Sequence, residues 1–200
     1  ANFGELRTHH WHMGLDIRTQ TRENLPVYAA AGGYIASIGV RPLSFGRFII
    51  INHPNGLSTL YAHLNDFAPE LETYVTNQQY QQESWAIELK FSSHQFPVSK
   101  GTFIGYSGNT GGSAGPHLHF EIMDTKTERR LNPLLFGFPL EDKVPPVIKG
   151  IALYDRGRSI NGQSPRAVPI KKTITGYTLA NSDILTTSLS QIGLAIQATD

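Results

Sequence analysis

The apolar residues of this chain come in short, β-branched runs. YIASIGV, RFIIINH, LSTLYAHL, TFIGYSG and HLHFEIM are each bounded by glycine, proline or asparagine. Runs of that length and branching are strand-sized, and the residues between them are turn formers, so the pattern predicts an all-β chain. In INHPNGLSTLYAH the tripeptide Pro54-Asn55-Gly56 separates two apolar runs, which predicts a hairpin. No helical periodicity precedes residue 68. The polar run PELETYVTNQQYQQES predicts a short helix, and WAIELKF after it predicts a strand with Trp85, Ile87 and Leu89 against a core. The Gln-rich part of the segment from Asn65 to Pro97 has few apolar residues to bury and is expected to be a mobile or surface element.

A boundary falls in LEDKVPPVIKG, because Pro145-Pro146 cannot continue a strand interior. It divides the chain into residues 1–142 and residues 143–200. In the second part IKGIALYD, VPIKKTITGYTL and IGLAIQATD predict a partial β-sandwich-like unit. So short a unit has a thin core, and it reads as truncated.

Composition removes several function classes. The 200 residues carry a net charge of +1 without a long basic block, which leaves no electrostatic footprint for nucleic acid. No apolar run is long enough to span a bilayer. ANFGELRTHH has no apolar core of the signal-peptide kind, so no signal segment is read in this chain. With no cysteine there is no thiolate metal site, disulfide or cysteine nucleophile.

The chemistry lies with the histidines. In GNTGGSAGPHLHFEI a glycine loop runs into His117 and His119. The loop lacks the G-K-[ST] ending of a phosphate cradle and leads into a strand, so it reads instead as an open groove wall. Its free backbone groups would pair with an extended peptide, with Asn109 and Thr110 anchoring such a substrate. Side chains two apart in a strand share a face, so His117 and His119 project together. His12 and Asp16 are also an even number apart, with Gly14 between them leaving space above the sheet. These residues supply imidazoles and a carboxylate enough for the three protein ligands of a catalytic zinc, with a fourth position open for water. His10 makes a rival H-x-H with His12. His53 and His94 read as a turn histidine and a solvated one, and His9 points away from His12. Tyr61 and His63, two apart in LSTLYAHL, are expected on one side of their strand, where Tyr61 packs under the site or contacts substrate.

The stretches FGELRTHHWHMGLDI, LPVYAAAGGYIASIG, INHPNGLSTLYAHL and KGTFIGYSGNTGGSAGPHLHFEI resemble the lysostaphin-like (LytM-type) zinc metallo-endopeptidases, which cut peptidoglycan peptides. The resemblance spans residues 3–136. It implies a twisted antiparallel sheet carrying a groove and one Zn²⁺ per chain, held by His12, Asp16 and His119. It further implies His63 and His117 as catalytic histidines, peptidoglycan peptide as substrate, and a location outside the cytoplasm, in the periplasm or at the cell surface. Within that set His117 is the natural general base, and His63 would donate to a developing oxyanion or assist proton transfer. The connection from Asn65 to Pro97 is longer than the family's, no strand precedes FGEL, and the tail after residue 143 lies outside the resemblance. A non-catalytic regulator of another wall hydrolase is the alternative; the complete set of five residues argues against it.

Overall fold

Period-two alternation condenses the first part of the chain into a ten-stranded antiparallel sheet. Its strands are β1 (Leu15–Arg18), β2 (Pro26–Tyr28), β3 (Gly33–Val40), β4 (Arg47–Asn52), β5 (Leu57–Phe67), β6 (Ile87–Lys90), β7 (Pro97–Val98), β8 (Phe103–Ser107), β9 (His117–Asp124) and β10 (Arg130–Leu131). The main order is β1–β9–β5–β4–β3–β6; β10 also pairs with β9, β7 with β3, and β8 joins β2 to β5. This computed structural model describes residues 2–7, 10–138, 145–181 and 184–199. The chain divides into two units, Ala1–Pro139 and Leu140–Asp200.

The long strand β5 organises the sheet. One edge pairs with β4; the other pairs first with β9, over Leu57–Ala62, and then with β8 from Leu64 onward. His63 sits where the partner changes. Arg47 and Ile49 of β4 lie opposite Leu64 and Tyr61, so β5 carries one extra residue there, a β-bulge. His63 takes a left-handed φ of 61°, and its N–H donates to the Phe45 carbonyl at 2.9 Å. The bulge shifts the alternation. Tyr61 pairs with Phe120 and packs ring to ring with it on the core face, while His63 turns to the opposite face beside His117 and His119. The expectation that Tyr61 and His63 share a side is therefore corrected: it counted residues without the bulge.

One face of the sheet buries the main core, including Ile35, Ile38, Ile49, Leu64, Phe67 and Phe120. The other carries a smaller cluster of Phe48, Leu60, Ala62 and Met123. Helix α1 (Pro69–Gln81) forms where the polar run predicts one. Its start has Pro69 in the first turn with Glu70 and Glu72, which suit the positive end of the helix. Glu72 also accepts a hydrogen bond from the Phe67 N–H at 3.0 Å. Leu71 and Val75 are the buried side chains of this helix and join the main core. That anchorage makes the Gln-rich segment a surface helix. Trp85 departs from expectation: it is 59% exposed and precedes β6, whose Ile87 is buried while Leu89 packs against the core. Strand β3 ends at Val40, opposite Ile87, so no neighbouring strand reaches Trp85.

The second unit contains β11 (Val147–Asp155), β12 (Arg166–Val168), β13 (Ile170–Thr173), β14 (Gly176–Leu179) and β15 (Ile192–Thr199). They form a three-stranded sheet, β12–β11–β15, and a β13–β14 hairpin. Pro145-Pro146 immediately precedes β11. Among the described residues of this unit, Leu153 and Val168 are the buried apolar side chains, whereas Leu194 and Ile196 on β15 are exposed. No helix among the described residues is long and apolar enough to cross a membrane.

The bulge makes a stability prediction. A side chain with a Cβ is strained in the left-handed region, whereas glycine is not. His63→Gly should therefore unfold in urea about 1 kcal/mol later than His63→Ala, the reverse of the order in an ordinary strand interior. Equal stability of the two variants would mean that the bulge relaxes when the imidazole is removed.

Candidate metal centre

Three segments bring five side chains together. The residues before β1 fold back on themselves: Gly4 N–H donates to the His12 carbonyl at 2.7 Å, and His12 N–H to that of Glu5 at 2.8 Å. His12 thus sits just ahead of β1 rather than within it. Asp16 in β1 is the direct cross-strand partner of His119 in β9. Gly14, between His12 and Asp16 in the chain, lies where a Cβ would come within 2.4 Å of the Phe120 carbonyl, so a glycine is required for the close approach. His117 and His119 share a face of β9, as their spacing predicts, and the bulge delivers His63, whose ring centroid is 4.7 Å from that of His117.

Each imidazole is pinned by one nitrogen, which leaves the other free. A carbonyl oxygen can only accept, so a ring nitrogen facing one carries the hydrogen. His12 Nδ1 faces the Asn2 carbonyl at 2.9 Å, His63 Nδ1 that of Thr110 at 2.8 Å, and His117 Nδ1 that of Gly115 at 2.7 Å. His119 is held from the other side, with Nε2 donating to Glu121 Oε1 at 3.0 Å, and Arg130 Nε in turn donates to Glu121 Oε2 at 3.1 Å. Arg7 holds Asp16 Oδ2 at 2.7 Å and leaves Oδ1 facing inward.

The atoms left facing one another are acceptors. His12 Nε2 and Asp16 Oδ1 are 2.9 Å apart, His12 Nε2 and His119 Nδ1 3.0 Å, and His119 Nδ1 and Asp16 Oδ1 3.0 Å. Lone pairs so close repel unless a proton or a cation lies among them. Their separation approaches the roughly 3.3 Å edge of a tetrahedron with bonds of about 2 Å, and two nitrogens with one oxygen suit zinc. His63, His117 and His119 form a second close trio of possible ligand atoms that shares His119 with the first.

Charge follows the same crowding. With a proton rather than a metal ion among these atoms, burial acts to raise the Asp16 pKa, but the facing imidazoles of His117 and His119 together with Arg7 outweigh it and hold the carboxyl far below the usual carboxylate range. The hydrogen bond to Asp16 raises His117. Burial opposes a charged His119, yet Asp16 and Glu121 together raise it. Burial pushes His63 down to about 4, helped by the neighbouring His117 and His119, so its imidazole is neutral at pH 7.

One expected substrate contact is corrected, and a second residue has its hydroxyl engaged within the fold. The Tyr61 hydroxyl is buried in the core, where it accepts from Ala30 N–H at 2.8 Å and from Thr59 Oγ1 at 3.1 Å, so it cannot reach a substrate. The Thr110 hydroxyl donates to the Leu64 carbonyl at 2.8 Å and accepts from Arg47 N–H at 3.0 Å; with its carbonyl on His63, this residue positions the imidazole. Asn109 is exposed. His53 is buried between the Gly32 carbonyl and Thr59, a structural histidine as expected. His10 and His94 are exposed, and His9 lies outside the described residues.

Glu121, Arg130 and Arg7 are the orienting groups that the sequence reading missed. Glu121 had a signal, since HLHFE places it two residues beyond His119 on the same face; the two arginines had none. Carboxylates that orient a ligating histidine typically contribute about 10–100-fold in metal affinity. Glu121→Ala should therefore weaken zinc binding by about that factor in chelator competition, and Glu121→Gln, which keeps an acceptor, by less.

The model of peptidase family M23 matches residues 10–82 and 86–133. A DD-carboxypeptidase/endopeptidase, Mpg, of Neisseria meningitidis serogroup B is 34% identical over 113 residues, which is 56% of this chain and 20% of that protein. The peptidoglycan DD-endopeptidase ShyA of Vibrio cholerae is 30% identical over 120 residues, 60% of this chain and 22% of its own length. The chain thus spans about a fifth of the length of these curated relatives. In fold it is similar to the catalytic domain of lysostaphin from Staphylococcus simulans, with a TM-score of 0.50 and 23% identity over 68% of this chain and 88% of that one. The family match takes in His12, Asp16, His63, His117 and His119 alike, and on that match the chain belongs to peptidase family M23.

Proposed function

We propose that this protein is a zinc-dependent endopeptidase that hydrolyses peptide bonds of bacterial cell-wall peptidoglycan outside the cytoplasm. The observation that carries this reading is the trio of inward-facing acceptors, His12 Nε2, Asp16 Oδ1 and His119 Nδ1, each about 3 Å from the others. Membership of a peptidase family, with relatives named as peptidoglycan and DD-endopeptidases, supports the substrate.

In this reading these three atoms hold one zinc per chain. Zinc, when bound, supplies Lewis acidity toward water and toward the scissile carbonyl. The rest falls to the chain. His63, rather than His117 as the sequence suggests, is the base in this reading: neutral at pH 7 and with Nδ1 committed to Thr110, it offers Nε2 as the acceptor for a proton from the attacking water. His117, raised by Asp16, is suited to hold a proton at Nε2 and present it to developing negative charge on the substrate. Arg7 and Glu121 orient Asp16 and His119. Asn109, exposed beside the site, contacts the peptide. The two units, with a boundary near residue 142, act as separate domains, and the first contains every group of this centre.

Zinc-loaded protein should release peptide fragments from purified peptidoglycan, identified by mass spectrometry across sacculi of different cross-link types. No cleavage of any type would overturn the reading. Variants separate the roles when metal content and turnover are measured on the same preparations. His119→Ala should lose zinc. His63→Ala and His117→Ala should keep it while turnover falls about 10²–10⁴-fold.

A further inference from the structure

The face of the sheet that carries the metal centre also holds a cleft of about 440 Å³. Its floor follows one cross-strand row, with Leu60 opposite Ile50, Ile50 opposite Ser37, and Ser37 opposite Lys90; Glu121, opposite Leu60, continues the row beyond the lining, and the lining residues Phe45 and Arg130 border the centre through His119 and Glu121. The row begins at the metal centre, because Glu121 holds His119, and it crosses β9, β5, β4, β3 and β6 in turn. Leu60 and Ile50 make its middle apolar.

The far end is polar and unpaired. Ser37 is 7% exposed and lines the cleft, yet its hydroxyl has no hydrogen-bond partner among the described residues. A buried hydroxyl left without a partner is costly, and natural proteins seldom retain one without a reason. Lys90, its direct cross-strand partner, also lines the cleft and forms no ion pair among the described residues. The remaining charges of the cleft are mostly engaged. Arg41 pairs with Glu88 and lies over the Phe48 ring, Arg130 is bound to Glu121, and Asp124 accepts from the turn at Lys126 and Thr127. Glu128, also in the lining, is exposed and its N–H donates to the Asp124 carbonyl at 2.8 Å. A neutral donor beside a free ammonium is the pair that recognises a carboxylate.

Strands are spaced by about 4.8 Å, which puts Ser37 and Lys90 roughly 14–19 Å from β9. An extended peptide covers that distance in about four to five residues. We propose that Ser37 and Lys90 form the carboxylate-binding end of the substrate cleft, so that the protein selects extended peptides bearing a free carboxylate four to five residues from the scissile bond. This rests on the endopeptidase reading for the identity of the scissile bond, but not for the binding itself. The carboxylate is either a peptide C-terminus or a side-chain group.

The test uses the full chain and synthetic cross-linked stem peptides in three forms: all carboxylates free, C-terminus amidated, and side-chain carboxylates amidated. Binding is read by fluorescence anisotropy and cleavage by chromatography, for the native protein, Ser37→Ala, Lys90→Ala and Lys90→Glu. The native protein should bind the free form roughly ten- to a hundredfold more tightly than one of the two amides, which identifies the carboxylate. Lys90→Glu should abolish that preference, and Ser37→Ala and Lys90→Ala should reduce it, all with zinc content unchanged. Equal affinity for the three forms, an undiminished preference in Lys90→Glu, or no binding of any form would overturn the proposal. Preferential binding without cleavage would sustain it while removing the endopeptidase reading; cleavage without preference would do the reverse.

Discussion

Three acceptor atoms held about 3 Å apart, with no hydrogen of their own to share, are the constraint around which this protein is arranged. Left alone they repel. The fold holds them together by fastening each group from behind: Asn2 on His12, Arg7 on Asp16, and Glu121, itself tied to Arg130, on His119. Every fastening takes up the outward atom and turns the inward lone pair toward the same point. The cluster is a built site because its supports come from three separate stretches of chain and none of them faces inward.

The same logic explains why β5 is irregular. A regular strand carrying Tyr61 toward the core would carry His63 there as well. The sheet instead accepts one extra residue and one left-handed backbone conformation at His63, where the pairing passes from β9 to β8. Strain of this kind, of order 1–3 kcal/mol, persists where surrounding structure over-determines it. Here the surroundings are the Phe45 carbonyl on the His63 N–H and the Thr110 carbonyl on its imidazole. The glycine loop therefore also supports a catalytic candidate.

The two faces of the sheet divide the labour. One is filled by Ile, Leu and Phe side chains and by the two buried residues of α1, and it supplies the stability. The other is thinly apolar, with Leu60 and Ile50 in the floor of a cleft that Ser37 and Lys90 also line. An antiparallel sheet permits this arrangement because its strands alternate between a packed face and one open to solvent. A row of register partners then lays a track across the strands at right angles to the chain.

Much of this was legible from the residues alone. Strand-sized β-branched runs and the Pro54-Asn55-Gly56 turn foretold the sheet and the β4–β5 hairpin, because alternation and turn chemistry are local. Spacing foretold that His117 and His119 share a face, since that too depends on one strand. Trp85 was misjudged because burial depends on where β3 stops, which no local pattern records. Tyr61 and His63 do not share a side because a bulge, which no local pattern records, decides which way their side chains point. Local patterning suffices for the all-β class and for the kind of donor atoms available. Which lone pairs meet is settled by long-range strand pairing and by the supports behind each group, which bring His12 Nε2 within 3.0 Å of His119 Nδ1 across 107 positions of the chain.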